Sequence, residues 1–252
     1  MTALAFTALT AGYGGKTVIR ELDGEAQGGE FIALLGPNGC GKSTLLKSLA
    51  GILASSGHIT SNETNVRSIS AVKRARHISY LAQQRDMVWP LSVRDVIALG
   101  RAPYRGPLGK ISAEGQAKIE AVIHRLSLSE FAERSILELS GGEAARALLA
   151  RALVVDAPLL LADEPFASLD PAAQIQMTEI LKAEAESGKT VIAAMHDLAL
   201  AQHYADQIWL MKDGIFIAKG SPDAVLTDEN LVQAFGIHPP KGGFSLPRIA
   251  KA

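Results

Sequence analysis

The sequence predicts an α/β fold built on a mainly parallel sheet, and three observations carry that prediction. Residues 30–35 form a buried-type strand, FIALL, that enters a glycine-rich turn and then an apolar helix over about residues 42–52. From Ser140 onward, helical stretches alternate with apolar strands at residues 159–162, 190–195 and 207–211, the rhythm of parallel strands joined by helical crossovers. The segment LLLADE at residues 159–164 is an apolar strand ending in two carboxylates. In open α/β sheets that end of a strand is where ligands bind.

The other elements follow in chain order. Residues 2–10 and 17–22 have the pattern of short strands around a glycine-rich turn, and residues 76–83 that of a further strand. Residues 92–134 carry helical spacing, broken by the turn-rich GRAPYRGPLG at 100–109. A helix is expected at 171–187, and Lys212-Asp213-Gly214 marks a hairpin turn. The final stretch, HPPKGGFSLPRIAKA, is Pro/Gly-rich and is expected to be a loose tail. Internal repeats and low-complexity segments are not expected.

Composition narrows the classes of function. The chain has 252 residues, 48% of them apolar, enough for one domain with a large core or one domain with a subdomain. Lys+Arg is 25 and Asp+Glu is 26, so no basic excess argues for nucleic acid. With Cys40 alone, no intrachain disulfide can form, which suits a reducing compartment. No signal peptide is read at the N-terminus. The longest apolar runs, such as residues 158–162, fall far short of the roughly 20 residues a spanning helix needs. Contact with a membrane is therefore expected to go through a partner.

The turn after the first buried strand reads GPNGCGKST, residues 36–44. It fits G-x-x-x-x-G-K-[ST] and has the strand–loop–helix context that motif requires. Gly36, Gly39 and Gly41 let the backbone turn so that successive N–H groups point inward at phosphate oxygens, and Pro37, Asn38 and Cys40 are read as part of the same ATP-binding loop. The following helix adds its positive N-terminus beside Thr44. Lys42 is expected to reach the β- and γ-phosphates and Ser43 to ligate Mg²⁺. Cys40 is read as a small residue pointing out of the loop. Kinases, recombinases and GTPases share such a loop, so by itself it specifies a nucleotide and nothing finer.

The strand-end acids suggest the second half of the site. Asp163 is placed to hold Mg²⁺ through water, and Glu164 to polarise an attacking water as general base. Residues 139–143 read LSGGE, just before the apolar helix AARALLARAL. A hydroxyl at Ser140 followed by Gly141 and Gly142 at a helix N-terminus forms another anion cradle. Here the chain closely resembles the ATPases of ABC transporters. In that family Gln83 of YLAQQ matches the glutamine that reaches Mg²⁺ and senses the membrane partner. His196 of MHDLA matches the histidine on the γ-phosphate, and Ser168-Leu169-Asp170 the D-loop. Tyr13 matches the aromatic under the adenine, where a ring face stacks on the base. The order of these motifs covers most of the chain. Three positions depart from the family pattern: Ala144-Ala145 follows the signature in place of Arg-Gln, Ala82 replaces a Pro, and Phe166 replaces a Thr.

The resemblance implies a P-loop NTPase fold over residues 1–237, with a mainly parallel core, an N-terminal antiparallel β subdomain and a helical subdomain at about 90–150. Residues 238–252 are left as the tail. It implies ATP and Mg²⁺ as ligands, and ATP held between the loop of one copy and Ser140, Gly141, Gly142 and Glu143 of another in a head-to-tail homodimer. Glu164, His196 and Lys42 are the implied catalytic residues. Implied partners are two transmembrane permease subunits and a periplasmic or surface substrate-binding protein, with no nucleic acid. The chain is then expected on the cytoplasmic face of the cell inner membrane, as a peripheral subunit. The segment from HISYLAQQ to GRAPYRGPLG, and SPDAVLTDENLVQAFGI at 221–237, resemble the iron–siderophore, haem and vitamin B12 importer group. The stretch from Ser92 and the residues flanking Gln83 would form the groove for a permease coupling helix; Trp89 and Tyr104 fall there, or are ordinary exposed or core aromatics. An iron(III)-siderophore complex ranks first as cargo, then cobalamin, then haem. An exporter ATPase is the alternative class, but many exporters carry a TEVGERG-like stretch before the signature, and AERSILELSGGE has no such glycine. A soluble repair or translation ATPase lacks support as well, because no second cassette, zinc insertion or long coiled coil is visible.

Overall fold

A computed structural model describes residues 2–83, 89–106, 109–166, 169–239, 244 and 246. The strands are β1 (Thr2–Tyr13), β2 (Lys16–Gln27), β3 (Phe31–Leu35), β4 (Ser55–Ser61), β5 (Thr64–Asn65), β6 (Ile78–Leu81), β7 (Leu159–Asp163), β8 (Thr190–Ala194), β9 (Gln207–Lys212) and β10 (Ile215–Gly220). The helices are α1 (Lys42–Leu49), α2 (Ala71–His77), α3 (Val93–Leu99), α4 (Ala113–Arg125), α5 (Gly141–Leu153), α6 (Pro171–Glu186), α7 (Leu198–Tyr204), α8 (Pro222–Val225) and α9 (Asp228–Phe235). Short 3₁₀ turns follow α3 and α4.

The strands form two sheets. The larger has the order β10-β9-β3-β8-β7-β6; all its pairs are parallel except the β9–β10 hairpin. Every residue of β3, β7 and β8 is buried, as expected of strands covered on both faces. The smaller sheet, β2-β1-β4-β5, is antiparallel. One core layer, with α1, fills the space between the sheets; there Phe6 of β1 packs edge-on against Trp209 of β9 at 5.7 Å. The other layer lies on the opposite face, under α3 to α9.

Local chemistry places the ends of these elements. Gly14 and Gly15, and Asp213 and Gly214, all have positive φ in two-residue hairpin turns. The side chains of Ser70, Ser92, Ser112, Ser140, Asp170, Asp197 and Thr227 each cap a helix N-terminus.

Three expectations are corrected. The strand expected at 76–83 begins at Ile78, because Arg76 and His77 close α2. That helix buries no residue, so it carries no apolar periodicity to read. The first two strands run well beyond 2–10 and 17–22, continuing through register shifts that interrupt the period-two pattern. The small strands β4 and β5 have no counterpart in the sequence reading. Most of the C-terminal tail lies outside the described residues; Phe244 and Leu246 pack against the core.

Candidate nucleotide-binding site

The C-terminal ends of β3 and β7, the loop before α1 and the segments after β6 and β8 converge on an open cavity of about 370 Å³. Asn38, Gly39, Gly41, Lys42, Ser43 and Thr44 supply one wall, and Gln83, Glu164 and His196 face them; Val18 of β2 also lines it. The loop can run this tightly because of Gly36, at φ 150°. A Cβ there would stand 2.3 Å from the Met211 carbonyl oxygen and 2.7 Å from Cys40 Sγ. That contact also corrects the reading of Cys40: its side chain is buried beneath the loop, in the core, and does not point out of it. Burial pushes the thiol's pKa up, which makes it a poor nucleophile.

The polar groups of the cavity are paired in two sets. Lys42 Nζ donates to the carbonyls of Gly36 (2.8 Å) and Pro37 (3.3 Å), which hold its charge over the loop. Ser43 Oγ donates to Asp163 Oδ1 at 2.8 Å, and the Tyr80 hydroxyl donates to Asp163 Oδ2 at 3.1 Å. The carboxylate is 1% exposed, and burial raises its pKa above the usual carboxylate range; the Ser43 and Tyr80 hydrogen bonds oppose that rise. A hydroxyl and a buried carboxylate beside a phosphate-type loop form an all-oxygen donor set that fits Mg²⁺.

Glu164 anchors the other set. Gln83 Nε2 donates to its Oε2 at 2.7 Å, and His196 Nε2 lies 2.7 Å from its Oε1. Glu164 has φ 48°, a left-handed conformation that non-glycine residues adopt at an energetic cost. The carboxylate is therefore held off the strand axis, over the cavity.

Other sequence-read positions lie away from the cavity walls. Tyr13 is exposed at the end of β1. Asp170 caps α6, accepting from Ala173 N at 2.9 Å, and Ser168 lies outside the described residues. Ser140 and Glu143 form a capping box on α5: Ser140 N donates to Glu143 Oε2 at 2.8 Å, and Glu143 N to Ser140 Oγ at 3.4 Å. The first of these bonds holds the Glu143 carboxyl below its ordinary pKa. Local helix chemistry thus accounts for both ends of the SGGE stretch. It leaves Gly141 and Gly142 without a duty in this chain. Neither has positive φ, a Cβ on Gly141 would meet nothing within 4 Å, and one on Gly142 only Ala173 Cβ at 3.9 Å.

A groove of about 480 Å³ opens elsewhere, between α2, β6 and the ends of α3 and α5. Ile52, Arg74, Tyr80, Leu99, Pro103 and Arg151 are among its lining residues. Tyr104 is neither loose nor a core residue. The guanidiniums of Arg101 (3.9 Å) and Arg76 (4.9 Å) both lie over its ring, and Arg76 also donates to the Pro103 carbonyl. Trp89 is 72% exposed. Of the residues that build these sites, sequence reasoning misses Tyr80. Its signal was its place on a strand beside the acid-bearing one, which needs the strand order to be recognised.

A loop of this geometry, facing strand-end acids across a parallel sheet, defines a P-loop nucleotide hydrolase. Residues 19–167 match the ABC transporter family. The chain is 39% identical over 223 residues to the hemin import ATP-binding protein of Streptomyces coelicolor, covering 88% of this chain and 79% of that protein. It is 32% identical over 231 residues to the ferric enterobactin transport ATP-binding protein of Escherichia coli, covering 91% and 85%. Its fold matches cbiO1 from Clostridium perfringens, part of the ABC transporter complex cbiONQ, with a TM-score of 0.79 and 26% identity over 92% of this chain and 93% of that one. The chain belongs to the ABC transporter ATP-binding proteins, which hydrolyse ATP to power transport. Among the described residues, no helix is long and apolar enough to cross a membrane itself.

Proposed function

We propose that this chain drives an importer for an iron(III)-siderophore-type complex, working as a head-to-tail homodimer on two transmembrane permease subunits. It would sit on the cytoplasmic face of the membrane, fed by a substrate-binding protein on the other side. The observation that carries the reading is the meeting of Lys42, Ser43, Gln83, Glu164 and His196 around one cavity, with Asp163 hydrogen-bonded to Ser43, all drawn from segments far apart in sequence. The glycines of the signature support the dimer. With no steric or conformational duty in their own chain, Gly141 and Gly142 suit the close approach of a phosphate bound on the loop of a second copy.

Ser43 and Asp163, with Gln83, would hold Mg²⁺, which when bound neutralises phosphate charge. Lys42 exchanges its loop carbonyls for the β- and γ-phosphates of ATP. Gln83 and His196 keep the Glu164 carboxylate oriented until nucleotide draws them to its γ-phosphate side. Glu164 then takes a proton from the attacking water. Lys42 and His196 stabilise the charge on the transferring phosphoryl group. Tyr13 offers its exposed ring to the adenine. The groove that Tyr80, just before Gln83, and Leu99 and Pro103, in the stretch from Ser92, help to line would seat a permease helix, with closure of the dimer as the output.

Glu164→Gln tests this. The variant is expected to lose at least a hundredfold in ATPase rate, yet bind ATP and elute as a dimer on gel filtration with ATP present. Normal turnover would overturn the assignment. A haem cargo has a specific observation in its favour, the 39% identity to a hemin import protein. Cobalamin is the remaining alternative. The ligand carried by the binding protein that co-purifies with the transporter decides between them.

A further inference from the structure

Asp163 is buried, and its two oxygens are divided between two hydroxyl donors. Ser43 stands in the first turn of α1, and its oxygen is itself a candidate cation ligand, so its hydrogen bond to Asp163 would change when a cation binds. Tyr80 does not share that fate. It stands on β6, which pairs in parallel with β7 so that Tyr80 is opposite Leu161 and Leu81 opposite Ala162. Asp163 is therefore the diagonal neighbour of Tyr80 on the same sheet face, within reach of a long side chain. The Tyr80 hydroxyl's hydrogen-bond partner among the described residues is this carboxylate. The rest of the side chain packs against the core layer that holds α1, and the residue also lines the groove at α2. The hydroxyl is thus fixed by a strand and a packed ring rather than by the loop.

We propose that Tyr80 is a positioning residue for the cation: by holding Oδ2 it fixes the rotation of the Asp163 carboxylate and leaves Oδ1 aimed at the Ser43 side of the cavity. Groups that orient a residue holding a metal, directly or through its bound water, are part of the site, and removal of such outer partners commonly weakens metal binding tenfold or more. Burial raises the pKa of both partners, in keeping with a hydrogen bond shielded from water. The proposal rests on the reading of Asp163 as a Mg²⁺-holding residue, and the test separates the two.

Mn²⁺ is titrated by electron paramagnetic resonance into the full chain saturated with ADP, for the wild type, Tyr80→Phe and Asp163→Asn. ADP affinity in EDTA is measured alongside. Tyr80→Phe is expected to weaken Mn²⁺ about tenfold while leaving metal-free ADP affinity within twofold. Asp163→Asn is expected to weaken Mn²⁺ further. If Asp163→Asn weakens Mn²⁺ and Tyr80→Phe does not, the positioning role is overturned and the metal reading stands. If Asp163→Asn leaves Mn²⁺ binding unchanged, the metal reading itself falls. If Tyr80→Phe loses metal-free ADP binding as well, Tyr80 supports the fold of the site and the positioning role is overturned.

Discussion

Gly142 is the residue whose identity the chain's own structure explains least and a second chain explains best. It lies in the first turn of α5, where alanine would fit sterically and has the better helix propensity. Gly142→Ala is therefore expected to leave thermal stability unchanged or to raise it by up to about 1 kcal/mol. If the proposed head-to-tail dimer is right, ATPase activity should fall at least tenfold, because the added methyl would block the approach of a phosphate held by the second copy. Circular dichroism melting and a phosphate-release assay on the same preparation check both halves. A stable variant with full activity would leave the glycine without any role. Cys40 makes the opposite point. Its position within the loop suggests exposure, but its thiol is buried against Gly36 and belongs to the packing under the loop.

Helix α4 is tied to the main sheet by charge as well as by its apolar face. Asp156, in the turn between α5 and β7, accepts from Lys118 of α4 at 2.8 Å and lies 3.1 Å from Lys189, just before β8. The Lys118 hydrogen bond leads the causes that hold the Asp156 carboxyl below its ordinary pKa. A depressed carboxylate contributes stability that is fully present above the unfolded-state value and is lost as pH falls through the folded one. Asp156→Asn keeps the left-handed backbone at this position, φ 62°, which asparagine tolerates. It is expected to lower the melting temperature at pH 7, with the difference from wild type shrinking as pH falls below the unfolded-state carboxylate value and through the lower folded one. Both lysines are partly exposed, so 0.5 M salt should shrink the pH 7 difference. A difference independent of pH would assign the effect to packing.

Two copies acting head to tail make a prediction that no single chain can satisfy. Each composite site would take its loop from one copy and its signature from the other. A mixed dimer of Lys42→Ala and Gly142→Ala copies then keeps one site with both halves intact, while either pure dimer keeps none. With Glu164→Gln added to every copy to block turnover, the mixture is expected to retain more ATP through gel filtration than either variant alone. Retention no higher than the average of the two variants would argue that loop and signature act within one copy.

Much of this organisation was legible in the sequence because its physical causes are local. The loop at residues 36–44 needs glycines at fixed spacing, and β7 needs a continuous apolar run ending in acids; both demands are written in adjacent residues. Helix α2 was illegible because it buries nothing, and β5 because two residues carry no period. Gln83, Glu164 and His196 each stand in a recognisable motif of the sequence, but their meeting on one carboxylate follows from placing β6, β7 and β8 side by side. The sequence by itself determined the phosphate loop, the acid-bearing strand and the family, since each is a short-range pattern. Only the tertiary structure decided that Tyr80 holds Asp163, that Cys40 is buried and that the signature glycines are idle within their own chain. Those facts depend on which strands pair and which surfaces remain open, and strand order and packing join residues that the sequence keeps far apart.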